Sequence, residues 1–404
     1  MNYAIVADNP CECRFRVPGA ALVPARDYLV EPAWREARNL RVLNLCQSCG
    51  YQRSGYYVSL LAEARGHRPL PGVRELKDRG RPDPASVLVG MAQRCSDGRR
   101  ARAPRTGELA LAILRDPDTP CPASNDAALA KFEEAARALA IRTERIGRDD
   151  IGRLGGFDGL FIRDNTFVQH HTYRFARRAA AAGLTVIDDP DSILRCNNKV
   201  YLAELLPRHG LPVPGTLIVD RAGISGILPT LGLPCVLKRP DSSLSMGVVR
   251  VESAAQLSAA AEDMLRESDL IVAQEYIPTA FDWRIGILDG KPLFACKYHM
   301  VPGHWQILRH AEGRHYEEGP TEAIRLEEAP AAAVDLALRA ARLIGEGFYG
   351  IDLKEVAPGE WRIIEVNDNP NVDAGNEDGV LGDRLYHEVM SVFARRMAAR
   401  RRRP

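Results

Sequence analysis

The chain has 404 residues, 46% of them hydrophobic and 26% charged, which allows two or three domains with real cores. A formal charge of +1 supplies no overall field that would draw it to nucleic acid or to a membrane surface. No apolar run reaches membrane-spanning length, and the start MNYAIVADNP lacks a basic segment followed by a long apolar one, so a cytoplasmic protein is expected. The nine cysteines are odd in number and scattered, which argues against a disulfide framework. Cys11 with Cys13 and Cys46 with Cys49 raise the question of zinc, but no His-rich segment completes a site. Reduced, mostly buried thiols are expected.

Taken in chain order, "YAIVAD" and "RVLNL" predict strands and "YYVSLLAEARG" a helix. The arginine-rich stretch Arg99 to Arg105 reads as a solvated loop. A helix over Ala127 to Leu139, strands at "IRTERI" and "GLFIRD", a helix from His170 to Ala182 and a strand at "TVID" come next. Strands alternating with helices predict a parallel or mixed α/β layer. His170 and His171 open a helix and point about 100° apart, so packing or capping is expected of them rather than shared metal ligation. From Asp191 a single amphipathic helix is predicted, with Asp at its start and Gly210 just past its end. After it stand strands at "GTLIVD", "CVLKRP" and "GVVRVE", a helix over Ala254 to Arg266, and a strand "LIVAQEYI". Two hairpins separated by a helix (Ala331 to Ile344) lead to a final helix ending in arginines. His304 and Trp305, just after the earlier hairpin, are expected to pack in a loop.

The later hairpin, "YGIDLKEVAPGEWRIIEVNDNPN", carries the strongest signal. Pro358-Gly359 is a turn, and pairing outward from it sets Asp352 opposite Glu365 and Gly350 opposite Asn367. Alternation then puts Asp352, Glu365 and Asn367 on one face, and Ile351, Leu353, Ile364 and Val366 on the core face. A bulge near this turn would shift the register. Two carboxylates facing each other repel unless a cation sits between them. Their hard oxygens, too few to enclose calcium, suit magnesium, which keeps waters and phosphate oxygens. The alternative is a solvated polar face; "NDNPN", placing polar turn residues at the strand end, favours a site.

The earlier hairpin, "FDWRIGILDGKPLFACKYHM", turns at Asp289-Gly290. Pairing outward places Asp282 opposite Lys297, with Arg284 and His299 on the same face. Phe281, Trp283, Ile285, Ile287, Phe294, Cys296, Tyr298 and Met300 fill the other. Arg284 is suited to grip phosphate or carboxylate in a fork. Further upstream, Lys238 runs into a Ser-rich loop ending at Gly247, which could fold over phosphates, although it is no Walker A sequence.

In order, Lys199, Lys238, the loop Ser242 to Gly247, "QEYI", "DWR", Asp352 and "EVNDNPN" resemble the ATP-grasp superfamily, and within it the RimK-like branch. The likeness covers about residues 190 to 390. The preceding "NLCQSCGYQRSGYYVSLLAEARGH" and "FIRDNTFVQHHTYRFARRA" resemble the N-terminal domain found ahead of some RimK-like modules. The resemblance implies an α/β N-terminal domain over 1–189 and an ATP-grasp domain over 190–404, two α+β lobes clasping ATP. Its nucleotide lobe would span 190–277 and its metal lobe 278–404. It further implies that Lys199, Lys238, Ser243, Ser245 and Gly247 meet the phosphates and that Gln274, Glu275, Tyr276 and Ile277 border the adenine. One or two magnesium ions, or manganese in their place, would sit on Asp352, Glu365 and Asn367. Arg284 and Lys297 would carry the catalysis. The implied reaction is ATP-dependent joining of an amine, such as glutamate, to a peptide, protein or small-molecule carboxylate through an acyl phosphate. A kinase using the same fold and a non-catalytic nucleotide-binding protein are the alternatives, and the oligomeric state is open.

Overall fold

The computed structural model describes residues 2–13, 19–79, 107–119, 121–242, 246–310 and 316–402. The arginine-rich stretch Arg99 to Arg105, Ser243 and Ser245 lie outside them. Two compact units emerge, each assembled from segments distant in the chain. One takes in Met1–Arg99, Asn198–Ser242 and Met246–Tyr276, the other chiefly Arg100–Asn197 and Ile277–Pro404.

The first unit contains a parallel sheet, in the order Ala20–Pro24, Asn2–Ala7, Leu40–Asn44, Arg68–Leu70. Its two inner strands, Asn2–Ala7 and Leu40–Asn44, carry most of its buried apolar residues, among them Ile5, Val6, Val42 and Leu43. Asn44, fully buried in the third strand, donates through Nδ2 to Gly55 O (2.7 Å) and Ser59 Oγ (2.9 Å) of the helix Ser54–Ala64. Arg65, also fully buried, donates to Tyr28 O (2.6 Å), Leu29 O (3.0 Å) and Glu204 Oε1 (3.0 Å). Glu204 belongs to the helix Lys199–Arg208, which thus joins the first hundred residues to the later segments of the unit. Those segments form an antiparallel sheet ordered Val248–Val251, Cys235–Lys238, Ile271–Glu275, Thr216–Val219. Leu237, Val251, Ile271 and Ala273 pack with Leu257, Ala261 and Met264 of the helix Ala254–Glu267.

The second unit holds a parallel sheet ordered Ile141–Ile146, Leu109–Leu114, Gly159–Ile162, Thr185–Ile187. It also holds a five-stranded antiparallel sheet ordered Thr321–Ile324, Lys291–His299, Phe281–Leu288, Phe348–Ala357, Glu360–Asp368. The helices Asp126–Ala138 and Asp383–Arg401 bring Phe132, Tyr386, Val389 and Phe393 against Phe161, Phe294 and Phe348 in one core.

Parallel sheets early and antiparallel sheets late match the expected α/β and α+β character, with three corrections. The single helix from Asp191 is two, Pro190–Asn197 and Lys199–Arg208. Asn198 leaves helical geometry (φ −105°, ψ 105°), and its side chain accepts from Tyr201 N (3.1 Å), a capping bond that restarts the helix. The strand Leu109–Leu114, central to its sheet, lacks the alternation that would announce it. The third correction is the register of the earlier hairpin. Leu288 pairs with Lys291 and Ile287 with Pro292, but Gly286 pairs with Phe294, so Leu293 is an extra residue. Every pairing beyond slips by one: Asp282 faces Tyr298, and Lys297 faces Trp283. Pro292 cannot donate to a ladder, which favours a bulge beside it. The Phe294 ring lies over Gly286, where an added Cβ would come within 2.3 Å of it.

Candidate active site

The later hairpin keeps the predicted pairing where it counts. Asp352 pairs with Glu365 and Gly350 with Asn367. Closer to the turn the register shifts twice, once between Glu355 and Ala357 and once between Asp352 and Leu353. The second shift makes Ile364 the extra residue, so Ile363 replaces it as the buried core residue. The first shift leaves Val356 extra on the opposite strand, and one extra residue on each strand restores the pairing beyond both.

On the neighbouring strand Arg284 stands directly across from Asp352. Its guanidinium grips that carboxylate in a fork, Nε to Oδ1 at 2.6 Å and Nη2 to Oδ2 at 2.8 Å, with both side chains buried. Asn367 Nδ2 adds a bond to Asp352 Oδ2 at 3.0 Å, and the Tyr298 ring lies 4.6 Å from the guanidinium carbon. Arg284, Asp352, Glu365 and Asn367 line one cavity of about 160 Å³. Asp368 lines it too. Burial, then the charge of Asp188, holds the Asp368 carboxyl well above the usual range, although hydrogen bonds from Thr166 and from Asn197 Nδ2 (2.9 Å, to Oδ1) reach it.

Lys297 does not join this group. The slipped register places it on the opposite face, its ammonium 5.2 Å and 5.3 Å from the Phe281 and Trp283 ring centres and 3.7 Å from Glu322. Asp282 is paired instead with Lys354, and Tyr298, expected in the core, lines the cavity.

The "NDNPN" loop is pinned by the end of the parallel sheet. Asn369, with φ 48°, accepts from Arg163 Nη1 (2.8 Å) and donates to Asp164 O (2.6 Å). Arg163 is fully buried, bonds Ser124 Oγ (3.0 Å) and Pro370 O (2.9 Å), and burial brings its pKa down to about 10. Asp188 accepts from Phe348 N and Asn369 N, both at 2.6 Å, and so clamps the two open ends of the hairpin. These anchors lie up to 207 residues from the loop in sequence, and no local pattern discloses them.

In the first unit, Lys238 donates to Gln274 Oε1 (2.7 Å), and Gln274 donates to Thr216 Oγ1 (3.0 Å). Lys199 bonds the carbonyl of Ser242. Glu275 N donates to Gly215 O (2.8 Å), and Arg250 stacks 4.8 Å from the Tyr276 ring centre. Gly247 has φ 65°, a left-handed conformation suited to glycine. Ile277 belongs to the second unit.

One group of metal-ligating side chains has no signature in the sequence. Asp116, Asp164 and His171, all buried, offer ligand atoms within 4.8 Å of one another. Their mutual bonding accounts for them: His171 Nε2 meets Asp164 Oδ2 at 3.0 Å, and Arg148 pairs with Asp116. Among the described residues no such group includes a cysteine, and Cys46 and Cys49 are buried thiols. No described helix is long and apolar enough to cross a membrane.

Residues 25–112 match the family model of the RimK-like ATPgrasp N-terminal domain, and residues 218–374 match that of an ATP-grasp domain, clade family 3. A protein of Aeromonas salmonicida (strain A449) named "Probable alpha-L-glutamate ligase" is 26% identical over 239 residues, 57% of this chain and 76% of that protein. Among solved structures, D-cycloserine synthetase DcsG matches with a TM-score of 0.56 at 19% identity, over 71% of this chain and 99% of that one. D-alanine–D-alanine ligase from Bacillus anthracis matches with a TM-score of 0.55 at 14% identity, over 72% of this chain and 98% of that one.

Proposed function

We propose that this chain, an ATP-grasp protein with a RimK-like N-terminal domain, acts as an ATP-dependent carboxylate–amine ligase. The observation that carries the reading is the convergence of Arg284, Asp352, Glu365 and Asn367 on one cavity wall.

A carboxylate does not condense with an amine unaided, because oxide is too poor a leaving group. When a carboxylate oxygen attacks the γ-phosphorus of ATP, ADP departs and an acyl phosphate forms. The amine nitrogen then attacks the carbonyl carbon, the C–O bond to phosphate breaks, phosphate leaves with the electron pair, and nitrogen sheds a proton. Asp352, Glu365 and the Asn367 amide are hard oxygen donors, which fits magnesium. Bound there, magnesium would neutralise phosphate oxygens. Arg284 shares the Asp352 carboxylate with any such cation, so its positive charge remains beside the place where phosphoryl and oxyanion charge develops. For the nucleotide we propose Lys199 and Lys238 as phosphate contacts, with the main chain of 274–277 at the adenine.

Glutamate stands first among amines to try because of the relatives' names. The test is an ADP-release screen of the full chain over amino acids and small carboxylates, with mass spectrometry of products. A ligase yields phosphate and an amide lighter than its parts by one water. A stable phosphorylated product would replace this reading with a kinase.

A further inference from the structure

Arg284 is held by a carboxylate that a cation would share. Its fork reaches both oxygens of Asp352, and Oδ2 accepts from Asn367 Nδ2 as well. Once Asp352 lends lone pairs to magnesium, fewer remain for the guanidinium, which then also faces a second positive charge. Both effects loosen the fork at the step where Arg284 has to stay still. A fork so weakened does not by itself keep the guanidinium in place.

Tyr298 supplies a second hold. The extra residue at Leu293 turns it toward the cavity, where its ring lies 4.6 Å from the Arg284 guanidinium carbon. A ring grips a guanidinium by its face and leaves the N–H edges free. The ring is itself fixed. Its hydroxyl donates to Glu377 Oε1, and Glu377 Oε2 accepts from Asp373 N (2.7 Å). Glu377 is 2% exposed, so water does not compete for this anchor. Donation to a carboxylate also enriches the phenol ring in electrons, which strengthens its attraction for a cation. Asp352 takes Nε and Nη2, and among the described residues Nη1 has no hydrogen-bond partner. Held by its face, the guanidinium keeps that donor for a phosphoryl or oxyanion oxygen.

We propose that Tyr298, pinned by Glu377, is the positioning residue of Arg284, holding its guanidinium by the face while Asp352 is shared with magnesium. The inference rests on the ligase reading and adds the side chain that keeps its arginine in place.

Nuclear magnetic resonance of the full chain, with arginine labelled by nitrogen-15, tests it without requiring turnover. The Arg284 Nε–Hε signal is identified by its absence from Arg284→Lys. With ADP alone it should be sharp in both the unaltered chain and Tyr298→Leu. With magnesium and ADP it should stay sharp in the unaltered chain and be lost to broadening in Tyr298→Leu. Equal sharpness in the two chains under magnesium overturns the proposal. So does a signal already lost from Tyr298→Leu without magnesium, which would make the ring a general support of the fold. Tyr298→Phe keeps the ring and should keep the signal, with kcat lowered about three-fold by loss of the pin; full kcat there overturns the part given to Glu377. In the ADP-release assay Tyr298→Leu should lower kcat about ten-fold and leave KM for ATP within about two-fold. A raised KM with unchanged kcat overturns the proposal. An unaltered chain that forms no amide overturns the ligase reading instead, and the resonance still decides whether Tyr298 holds Arg284.

Discussion

The two hairpins of the five-stranded sheet begin alike, with a tight turn and alternating strands, and end differently. In the hairpin closed by Pro358-Gly359 two register shifts compensate, because Val356 is extra on one strand and Ile364 on the other, and the pairs beyond them are again those counted from the turn. In the hairpin closed by Asp289-Gly290 a single shift at Leu293 stands uncompensated, and every residue past it on that strand changes face. Arg284 keeps its place because it lies on the strand that carries no extra residue, whereas Lys297 lies beyond the bulge and is turned away. Counting outward from a turn is therefore sound only as far as the first bulge, and beyond it the pairing follows from how many extra residues each of the two strands carries.

The comparison can be broken most forcefully at the residue pair it says has survived. Arg284→Ala should lower amine-dependent ADP formation by about 10²–10³-fold. Because it strands a buried carboxylate, a stability loss of about 3–5 kcal/mol should accompany it. Arg284→Lys, checked by circular dichroism, separates the two effects by retaining the charge without the fork. Turnover near that of the unaltered protein would remove Arg284 from the site. Gly286→Ala strikes at the cause of the slip. Its Cβ would collide with the Phe294 ring, and urea unfolding should show a loss of about 1–3 kcal/mol.

The later hairpin is also clamped at its open end, and the clamp titrates. Burial pushes the Asp188 carboxyl up to about 7 despite its two backbone donors. A carboxyl raised above its unfolded value of 3.8 favours folding below that value, and the contribution is lost as pH rises through about 7. The Tm should fall across that window, and Asp188→Asn should flatten the decline. The smallest effect belongs to Lys297→Ala. Turnover should stay within about three-fold, with a stability change of about 0.5–1 kcal/mol from the lost ring contacts. A hundred-fold drop in turnover would mean that Lys297 faces the cavity after all and that the slip is wrong.

Local chemistry wrote much of this molecule into its amino-acid order. Alternation and turn residues disclosed the sheet strands around Asp352, and the helix Ala331–Ile344 could be read to its ends. What stayed hidden was of two kinds. Bulges depend on how a ring such as Phe294 packs across a neighbouring strand, which has no signature along its own segment. Long-range anchors such as Arg163 and Asp188 look like ordinary polar residues until distant backbone arrives to use them. The carboxyls that line the cavity are similarly dispersed, with Glu318, Asp368 and Glu377 contributed from separate segments.

The interleaving of the first unit bears on how the protein is made. When a ribosome has released the first hundred residues, Arg65 has its two carbonyl partners but not the carboxylate of Glu204, which is 139 residues away. A guanidinium so enclosed is strongly destabilising without its counter-charge. The nascent amino-terminal sheet should therefore stay loosely held until translation passes the helix Lys199–Arg208, and gene fragments that stop short of it should express as aggregation-prone, protease-sensitive material.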